Sequence, residues 1–272
     1  MPRTTRAIGH GNTIAGRQIQ CLEKQNVEIA AKWPTFLSPL KVRRQVAEGT
    51  MAFEFQKPPD WTFIAGQFID ITLPNPPETD GEGNKRGFSI ASAPYEETIM
   101  ITTRMRDTAF KRVLKSEPLE TRATIEGPFG DLTLHENAAR PAVLLTGGIG
   151  VTTFRSIVLQ AAHLKLPHRI VLFYSNRRPE DAAFLTELQA LQEANPNYTL
   201  VATMTDMKNS RQPWVGETRK IDAELLAKYA DATKNAIYYI TGPPGMVKGL
   251  QNTLAGTGVS SDDVRVEEYT GY

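Results

Sequence analysis

Apolar and polar residues alternate in short runs along the first half of the chain. Alternation of this kind is typical of strands with one buried face, so we predict antiparallel strands with turns at residues 57–60 and 74–84. The predicted strands are Leu40–Val46, Thr50–Phe55, Gln67–Leu73, Gly87–Ala91, Thr98–Met105 and Ala123–Glu126. A short helix, Thr108–Leu114, is expected between the last two strands. Six short strands with one helix predict a small closed antiparallel β-barrel.

From Pro141 the pattern changes to continuous apolar runs that alternate with helical periodicity. A parallel strand that is covered on both faces has such a run. The expected strands are Ala142–Thr146, Arg169–Tyr174, Thr199–Thr205, Ala236–Thr241 and Asp263–Tyr269. The helices between them are Thr153–Lys165, Pro179–Glu193, Asp222–Ala230 and Gly245–Ala255. This alternation predicts an α/β fold with a doubly wound parallel sheet.

The chain is therefore expected to have two domains that follow an N-terminal extension. The extension covers residues 1–38 and contains one candidate helix, Gln18–Lys32. Residues 39–137 form the barrel domain, and residues 138–272 form the α/β domain. A length of 272 residues agrees with two domains.

Composition and charge exclude several classes of protein. With 31 Lys and Arg against 30 Asp and Glu, the formal net charge is +1, which does not favour nucleic-acid binding through bulk positive charge. A single cysteine, Cys21, excludes a disulfide framework and a cysteine-ligated iron–sulfur centre within this chain. The four histidines lack the spacing of metal ligands, so we expect no metal site. No membrane span and no secretory signal are expected, which makes a cytoplasmic location the default.

The segment Thr146-Gly-Gly-Ile-Gly-Val-Thr-Thr153 joins a predicted buried strand to a helix. Glycines at this place let backbone N–H groups approach a pyrophosphate, and the helix N-terminus adds a favourable dipole. The residues that we expect to bind a dinucleotide here are Thr146, Gly147, Gly148, Gly150 and Thr152. Because Thr153 stands where the usual third glycine would be, a plain tight turn is the alternative.

The next predicted strand ends at Ser175-Asn-Arg-Arg178. An enzyme specific for NAD normally has Asp or Glu here for the ribose 2′-hydroxyl, whereas arginine suits a 2′-phosphate. Ser175, Arg177 and Arg178, with no opposing carboxylate expected, therefore predict NADPH as the coenzyme in preference to NADH. The alternative is that both arginines are surface charges.

Two further segments are candidates for the same site. At the tip of a later parallel strand, a turn that should border the nicotinamide contains Gly242, Pro243 and Met246. In the barrel, Arg86-Gly-Phe-Ser89 places an arginine, an aromatic ring and a hydroxyl on one strand. These groups suit a phosphate, a flat ring and a ring nitrogen.

Five motifs occur in an order that carries a family resemblance. They are Arg86-x-Phe-Ser89, Gly127-Pro-Phe-Gly130, Thr146-Gly-Gly-Ile-Gly150, Gly242-Pro-Pro-x-Met246 and the closing Glu267-Glu-Tyr-Thr-Gly-Tyr272. Over residues 39–272 the chain resembles the ferredoxin–NADP⁺ reductase superfamily, in particular its compact bacterial flavin oxidoreductases. The resemblance implies a barrel that holds FAD, an α/β domain that holds NAD(P)H, and hydride transfer from nicotinamide C4 to flavin N5.

The resemblance also implies roles for individual barrel residues. Arg86 would contact the FAD pyrophosphate, Phe88 the flavin and ribityl region, and Ser89 the flavin N5. The other residues that it implies at the FAD are Gly87, Thr102, Thr103, Arg104, Ala109, Phe110, Lys111 and Gly130. Lys111 stands where relatives usually have serine, and a lysine serves a phosphate as a point charge.

By the same resemblance, the catalytic residues would be Ser89, Glu267 and Tyr269. The segment Val266-Glu-Glu-Tyr269 is similar to the end of plant-type reductases, in which the tyrosine stacks on the isoalloxazine and the glutamate is near the nicotinamide. Because three residues follow Tyr269, either Tyr269 or Tyr272 would cover the flavin, and the spacing from Glu267 favours Tyr269.

The function that the resemblance implies is an NADPH-dependent FAD oxidoreductase that passes electrons to a separate redox protein, such as ferredoxin or flavodoxin. Direct reduction of a quinone, a ferric chelate or free flavin is an alternative. A flavin-binding regulatory module without turnover is an alternative of another class, although the intact glycines 147, 148 and 150 disfavour it.

Overall fold

The computed structural model describes residues 33–269 of the chain. The helix expected at Gln18–Lys32 and the residue Tyr272 lie outside the described residues.

A six-stranded sheet of antiparallel pairs makes up the first half. Its strands are β1 (Thr35–Ala47), β2 (Thr50–Gln56), β3 (Phe68–Thr72), β4 (Lys85–Ser89), β5 (Thr98–Arg104) and β6 (Arg122–Phe129), in the order β4-β3-β6-β1-β2-β5. Helix α1 (Ala109–Ser116) lies between β5 and β6 in sequence. Beyond β4, Ala91 donates its N–H to Met100 O of β5 over 2.7 Å, which joins the two edge strands. The predicted six-stranded antiparallel fold is confirmed.

Strand β1 begins at Thr35, ahead of the expected domain boundary at residue 39. Thr35–Pro39 pair antiparallel with Arg122–Glu126 of β6. Residues 35–38 are therefore part of the barrel sheet and do not belong to the N-terminal extension. The backbone N–H and C=O groups of residues 35–38 are satisfied by a strand that is distant in sequence. The hydrophobic pattern of residues 35–38 alone does not predict this pairing.

The barrel core is built from apolar side chains that face inward from these strands. Phe53, Ile69, Ile71, Ile101 and Ile125 are fully buried. Burial of a side chain of this size stabilises the fold by about 1.5–3 kcal/mol relative to exposure. This core fixes the positions of β4 and β5, which carry the predicted flavin-binding residues.

A five-stranded parallel sheet makes up the second half. Its strands are β7 (Ala142–Gly147), β8 (Ile170–Asn176), β9 (Tyr198–Met204), β10 (Ile237–Gly242) and β11 (Val264–Glu268), in the order β11-β10-β7-β8-β9. The helices are α2 (Val151–His163), α3 (Leu185–Ala194), α4 (Ala223–Ala227), α5 (Ala230–Thr233) and α6 (Pro244–Gly256). The predicted α/β fold with a parallel sheet is confirmed.

Two predicted helices are interrupted in the structure. Between residues 179 and 193, a single 3₁₀ turn at Pro179–Asp181 precedes α3, which starts only at Leu185 because Phe184 adopts a left-handed conformation with φ 61°. The helix expected at Asp222–Ala230 ends as α4 and is followed by α5, since Tyr229 leaves the helical region with φ −114° and ψ 20°.

Strand β7 lies where the strand order reverses. From β7 the chain continues to β8 and β9 on one side and then crosses to β10 and β11 on the other. Ligands of such sheets bind outside the carboxyl ends of the strands at this point. Gly147 ends β7 and Gly242 ends β10, so the two predicted glycine turns meet at the expected crevice.

The guanidinium of Arg155 joins helix α2 to the barrel. Arg155 is only 3% exposed. Its Nη1 donates to Ala91 O (2.7 Å) and Glu96 Oε2 (3.0 Å), while Nη2 and Nε donate to the two carboxylate oxygens of Glu187 (2.6 and 2.7 Å). Because α2 starts at the glycine turn and β4 ends two residues before Ala91, these bonds hold the turn against β4.

Hydrogen bonds between His135 and Tyr239 attach the segment that links the two sheets to strand β10. The Tyr239 hydroxyl accepts from His135 N–H (2.9 Å) and from Arg265 Nη1 (3.2 Å), so it donates its own proton to His135 Nδ1 (2.8 Å). The His135 proton is thereby assigned to Nε2, which donates to Arg140 O (2.9 Å). Burial lowers the pKa of His135, which favours this neutral ring.

Replacing Arg155 with Met is expected to lower the free energy of unfolding by about 3 kcal/mol, the lower end for buried pairs, because two carboxylates lose their partner. Urea denaturation measures this loss. Lys41→Met is the matched control, since Lys41 and Glu120 form an exposed pair, and it should cost less than about 1 kcal/mol. Equal losses in the two variants would contradict the role given to Arg155.

Candidate functional site

A cavity of about 550 Å³ lies between the barrel and the carboxyl ends of the parallel strands. The predicted residues that line it are Arg86, Gly87, Phe88, Ser89, Thr102, Thr103, Arg104, Lys111, Thr152, Glu267 and Tyr269. Five residues that were not predicted also line it: Phe68, Glu82, Thr108, Ile149 and Glu268. Ile149 and Glu268 lie inside motifs quoted above, whereas Phe68 and Glu82 reach the cavity through tertiary packing.

Tyr269 lies in a cluster of polar side chains at the end of this cavity. It directly follows β11, and its N–H donates to Gly242 O over 3.1 Å. Its hydroxyl accepts from Ser89 Oγ (2.9 Å), donates to Glu267 Oε2 (2.8 Å) and is hydrogen-bonded to Thr153 Oγ1. The three predicted catalytic residues are thus brought together. Thr153, which replaces the usual third glycine, joins them and was not predicted as a site residue.

Burial changes the acid–base properties of this cluster. It raises the pKa of Glu267 above its usual value, the hydrogen bond from Tyr269 opposes this rise, and the charge of Asp131 adds to it. Burial also raises the pKa of Tyr269 well above its usual value, and the charge of Glu267 contributes. The phenol therefore keeps its proton at neutral pH and remains a donor to Glu267.

The glycine turn is a 3₁₀ turn, Gly148–Gly150, that leads directly into α2. A Cβ at Gly150 would lie 2.6 Å from Thr146 Oγ1 and 3.0 Å from Thr241 O, so only glycine fits there. The Thr241 hydroxyl lies 3.0 Å from Thr146 Oγ1 and 2.9 Å from Gly150 O. These contacts hold the turn against β10 and give the Thr241 hydroxyl a structural role.

Met246 covers the start of the glycine turn. A Cβ at Gly147 would lie 2.5 Å from Met246 Sδ, and one at Gly242 would lie 3.5 Å from the same atom. Pro243 is the N-cap residue of α6, which starts immediately after it. Ser175 of β8 is paired in register with Gly147. The residues predicted to border the nicotinamide are therefore neighbours of the glycine turn.

Arg86 is already paired with two carboxylates. Its Nη2 lies 3.1 Å from Asp80 Oδ1 and 2.9 Å from Glu82 Oε2. Asp80 Oδ2 also accepts the N–H of Ala109 at the start of α1 over 3.1 Å. A guanidinium beside the first N–H of a helix is a favourable position for an anion. Asp80 thus lies between Arg86 and the start of α1, the two groups that the family resemblance implies for the FAD pyrophosphate.

Three of the predicted residues do not line the cavity but lie behind its wall. Ala109 contributes its backbone N–H to Asp80. Phe110 is 2% exposed and lies beneath Arg86, with 5.3 Å between the guanidinium carbon and the ring centroid. Gly130 makes room for Phe68, whose ring would be 2.9 Å from a Cβ at that position.

Arg104 and Lys111 line the cavity and have no ion-pair partner among the described residues. Arg104 ends β5, and its Nη2 lies 3.3 Å from the Cβ position of Gly148 in the glycine turn. Burial, together with repulsion from Arg106 and Arg86, lowers the pKa of Lys111. Among residues 33–269, neither side chain forms a hydrogen bond or an ion pair, so both are available to an anion.

Comparison with known proteins agrees with this geometry. Residues 144–252 match the family model of the oxidoreductase NAD-binding domain. A flavohemoprotein of Oceanobacillus iheyensis is 26% identical over 242 residues, which cover 84% of this chain and 57% of that protein. Reductase component 2 of a Comamonas terephthalate 1,2-dioxygenase is 22% identical over 210 residues, or 76% of this chain and 59% of that protein. This chain thus spans less than two thirds of the length of either relative.

A solved structure with a similar fold is a ferredoxin NADP⁺ reductase from Neisseria gonorrhoeae with bound FAD and NADP. The TM-score is 0.71 at 22% identity, and the match covers 86% of this chain and 98% of that one. The fold of this chain is thus similar to that of a ferredoxin NADP⁺ reductase. The predicted resemblance is confirmed.

The arginines after β8 are paired with carboxylates. Arg177 Nη2 lies 2.9 Å from Asp206 Oδ2, and Arg178 Nη2 lies 2.8 Å from Asp181 Oδ1. The expectation that no carboxylate opposes these arginines is wrong, because Asp206 approaches from the end of the neighbouring strand β9 and Asp181 from the following turn. The side chain of Arg177 is 73% exposed and that of Arg178 is 21% exposed, so Arg177 is the more accessible of the two.

Two kinds of feature are absent from residues 33–269. No helix in this range is both long and apolar enough to cross a membrane. No group of His, Cys, Asp and Glu side chains in the same range could hold a metal ion.

Tyr269→Phe is expected to raise the pKa of Glu267 further, because the carboxylate loses the hydrogen bond that opposes the effect of burial. A carboxyl with a raised pKa binds its proton more readily in the folded than in the unfolded protein. Between the pKa of Glu267 in the unfolded protein and its pKa in the folded protein, the free energy of unfolding therefore decreases as the pH rises. In Tyr269→Phe this decrease should continue to higher pH, because the folded-state pKa of Glu267 is higher. A ¹³C NMR titration of the Glu267 carboxyl measures the shift.

Ser89→Ala is the control, since it removes a different bond of the same hydroxyl and should leave the Glu267 pKa nearly unchanged. An unchanged Glu267 pKa in Tyr269→Phe would contradict this account of the cluster.

Proposed function

We propose that this chain oxidises NADPH and passes the electrons through FAD to a separate redox protein of the ferredoxin or flavodoxin type. The observation that carries the proposal is the cavity itself. There, Arg104 and Lys111 of the barrel half and the Tyr269 cluster face the glycine turn of the NAD-binding half. The dioxygenase reductase and the ferredoxin NADP⁺ reductase named above support this direction.

The residues of the cavity fit FAD. Lys111, Arg86 and the start of α1 would hold its pyrophosphate, because they form the positive end of the cavity. The Thr102 hydroxyl is buried in the cavity wall without a hydrogen-bond partner among the described residues, which suits the polar edge of a flavin. When bound, FAD supplies the capacity to accept a hydride and release single electrons.

The reacting end of the site would lie at Ser89, Glu267 and Tyr269. Tyr269 fills this end of the cavity and excludes water from it. A nicotinamide that approaches Ser89 has to displace the phenol, which costs the hydrogen bonds of its hydroxyl, about 0.5–1.5 kcal/mol each. We therefore propose Tyr269 as the gate of the site.

The nicotinamide dinucleotide would bind across the glycine turn. The guanidinium of Arg104 lies 3.3 Å from the Cβ position of Gly148 in this turn, and the turn leads into the N-terminus of α2. A positive charge beside a helix N-terminus suits a second pyrophosphate. Ser175 and Arg177 follow on the next strand. We propose that Arg177 binds the 2′-phosphate of NADPH after it separates from Asp206.

Purified protein is expected to bind one FAD, and the pyrophosphate has to displace Asp80 from Arg86 and Ala109. Asp80→Asn should therefore tighten FAD binding about tenfold, because an anionic competitor is removed. Fluorescence quenching of FAD by apoprotein measures the affinity. Glu78→Gln is the control, since Glu78 lies in the same loop but pairs with Arg112. Weaker FAD binding by Asp80→Asn would show that Asp80 positions Arg86, and binding of FMN in place of FAD would refute the cofactor.

Coenzyme preference tests the role of Arg177. Charge-assisted hydrogen bonds contribute about 1.5–3 kcal/mol each, so Arg177→Ala should lose tenfold or more in kcat/KM for NADPH while NADH is barely affected. Arg178→Ala is the matched control and should leave the ratio of the two coenzymes unchanged, because Arg178 is committed to Asp181. An equal loss with both coenzymes in Arg177→Ala would assign a structural role to Arg177.

An acceptor panel tests where the electrons go. Protein reduced by NADPH is expected to reduce a ferredoxin or flavodoxin faster than a quinone, a ferric chelate or free flavin at equal concentration. A preference for the small molecules would replace the proposed acceptor. Protein that binds FAD and NADPH but reduces no acceptor would instead support a regulatory module.

A further inference from the structure

The hydroxyl of Thr153 connects helix α2 to the phenol of Tyr269. Thr153 is the third residue of α2, and it is completely buried. Tyr269 directly follows β11, and its hydroxyl is hydrogen-bonded both to Thr153 and to Ser89, the last residue of β4. The phenol is therefore held by the barrel on one side and by the α/β half on the other.

The number of protons in this cluster determines which group donates. A phenol has one proton and an oxygen that can accept two hydrogen bonds. Tyr269 donates its proton to Glu267 Oε2 over 2.8 Å, so its oxygen accepts from Ser89 Oγ (2.9 Å) and from Thr153 Oγ1. Thr153 is thus the donor of its bond, and the phenol hydroxyl has all of its partners.

The backbone carbonyls that a helical threonine normally uses already accept from other hydroxyls. Such a threonine donates to the carbonyl three or four residues earlier. For Thr153 these are Gly150 O, which accepts from Thr241 Oγ1 (2.9 Å), and Ile149 O, which accepts from Thr152 Oγ1 (3.0 Å). Among the described residues, the phenol is the partner of the Thr153 hydroxyl.

We propose that Thr153 holds the gate residue Tyr269 closed and thereby lowers the affinity of the site for the nicotinamide ring. A nicotinamide that displaces the phenol has to break the bond from Thr153. The apparent affinity for the coenzyme falls with the fraction of protein in which the gate is open, and this bond reduces that fraction.

Thr153 acts as a positioning residue, since it affects the ligand through Tyr269. It does not line the cavity, so its removal leaves the lining residues in place. This inference rests on the proposed function, because it assumes that a nicotinamide binds beside Ser89 and displaces the phenol.

Thr153→Val tests the inference in the FAD-loaded protein, because it removes the hydroxyl and keeps the branched side chain. Calorimetric titration with NADP⁺, and with 2′,5′-ADP, which lacks the nicotinamide, separates the gate from the rest of the coenzyme site. NADP⁺ should bind about three- to tenfold more tightly to the variant, since the closed gate loses one neutral hydrogen bond. Binding of 2′,5′-ADP should be unchanged, so the ratio of the two affinities increases.

Two variants separate the gate from a general effect on helix α2. Thr153→Ser keeps the hydroxyl and should restore the ratio of the unmodified protein. Ser156→Ala is the matched control, because Ser156 lies one turn further along α2, is equally buried and donates to Ser92 O of the barrel half over 2.7 Å. It removes a hydroxyl that does not contact Tyr269 and should leave the ratio unchanged.

A double-mutant cycle tests whether Thr153 acts through the phenol. In Tyr269→Phe the hydroxyl that accepts from Thr153 is absent, so the addition of Thr153→Val should change the ratio no further. Thr153→Ala also lacks the hydroxyl and should show the same increase as Thr153→Val, which keeps the test available if the valine variant does not fold.

An unchanged ratio in both Thr153→Val and Thr153→Ala, an equal increase in Ser156→Ala, or a further increase in the double variant would overturn the inference. If the unmodified FAD-loaded protein binds neither NADP⁺ nor 2′,5′-ADP, the proposed function fails as well. Binding of both nucleotides with a ratio that does not depend on Thr153 refutes the role of Thr153 alone. The two failures are therefore distinguishable.

Discussion

The bonds of one buried guanidinium, that of Arg155, hold helix α2 against the barrel, and the geometry of the site depends on this contact. Arg155 lies about one turn beyond the glycine turn and reaches Ala91 O just past β4. The same helix places Thr153 on the Tyr269 hydroxyl, while β4 places Ser89 there. A shift of α2 would therefore separate the two walls between which we propose that FAD and the nicotinamide meet.

The arginines that we propose for phosphate binding fall into two groups that differ in whether a carboxylate of the chain is already their partner. Arg86 and Arg177 each have a carboxylate of the chain in the position that we propose for a phosphate, namely Asp80 and Asp206. A ligand gains at these arginines only the difference between its own interaction and the one it replaces. Arg104 has no such partner among the described residues, so a pyrophosphate would obtain its full interaction there. A phosphate can therefore bind tightly at Arg104. At Arg86 and Arg177 it binds only if its interaction is stronger than that of the carboxylate it replaces.

The sequence predicted the elements and the glycine turn well because these depend on local patterns. Alternation located β2 and β5, and the buried run of β7 with its glycines located the glycine turn. What local pattern could not show is which side chains meet across the fold. Asp206 follows β9, some 30 residues after Arg177, and meets it only because β8 and β9 are neighbours in the sheet. Thr153 stands where the glycine motif has its third glycine, so the motif predicts no role for its hydroxyl. In the structure this hydroxyl is hydrogen-bonded to Tyr269.

We propose that a nicotinamide delivers a hydride to FAD in the cavity between the two sheets. The decisive experiment is anaerobic stopped-flow mixing of the FAD-loaded protein with NADPH, and with NADPH deuterated at the transferred C4 position. We expect loss of the flavin absorbance within a single turnover and a slower loss with the deuterated coenzyme. Flavin that stays oxidised in the presence of saturating NADPH and NADH would contradict it.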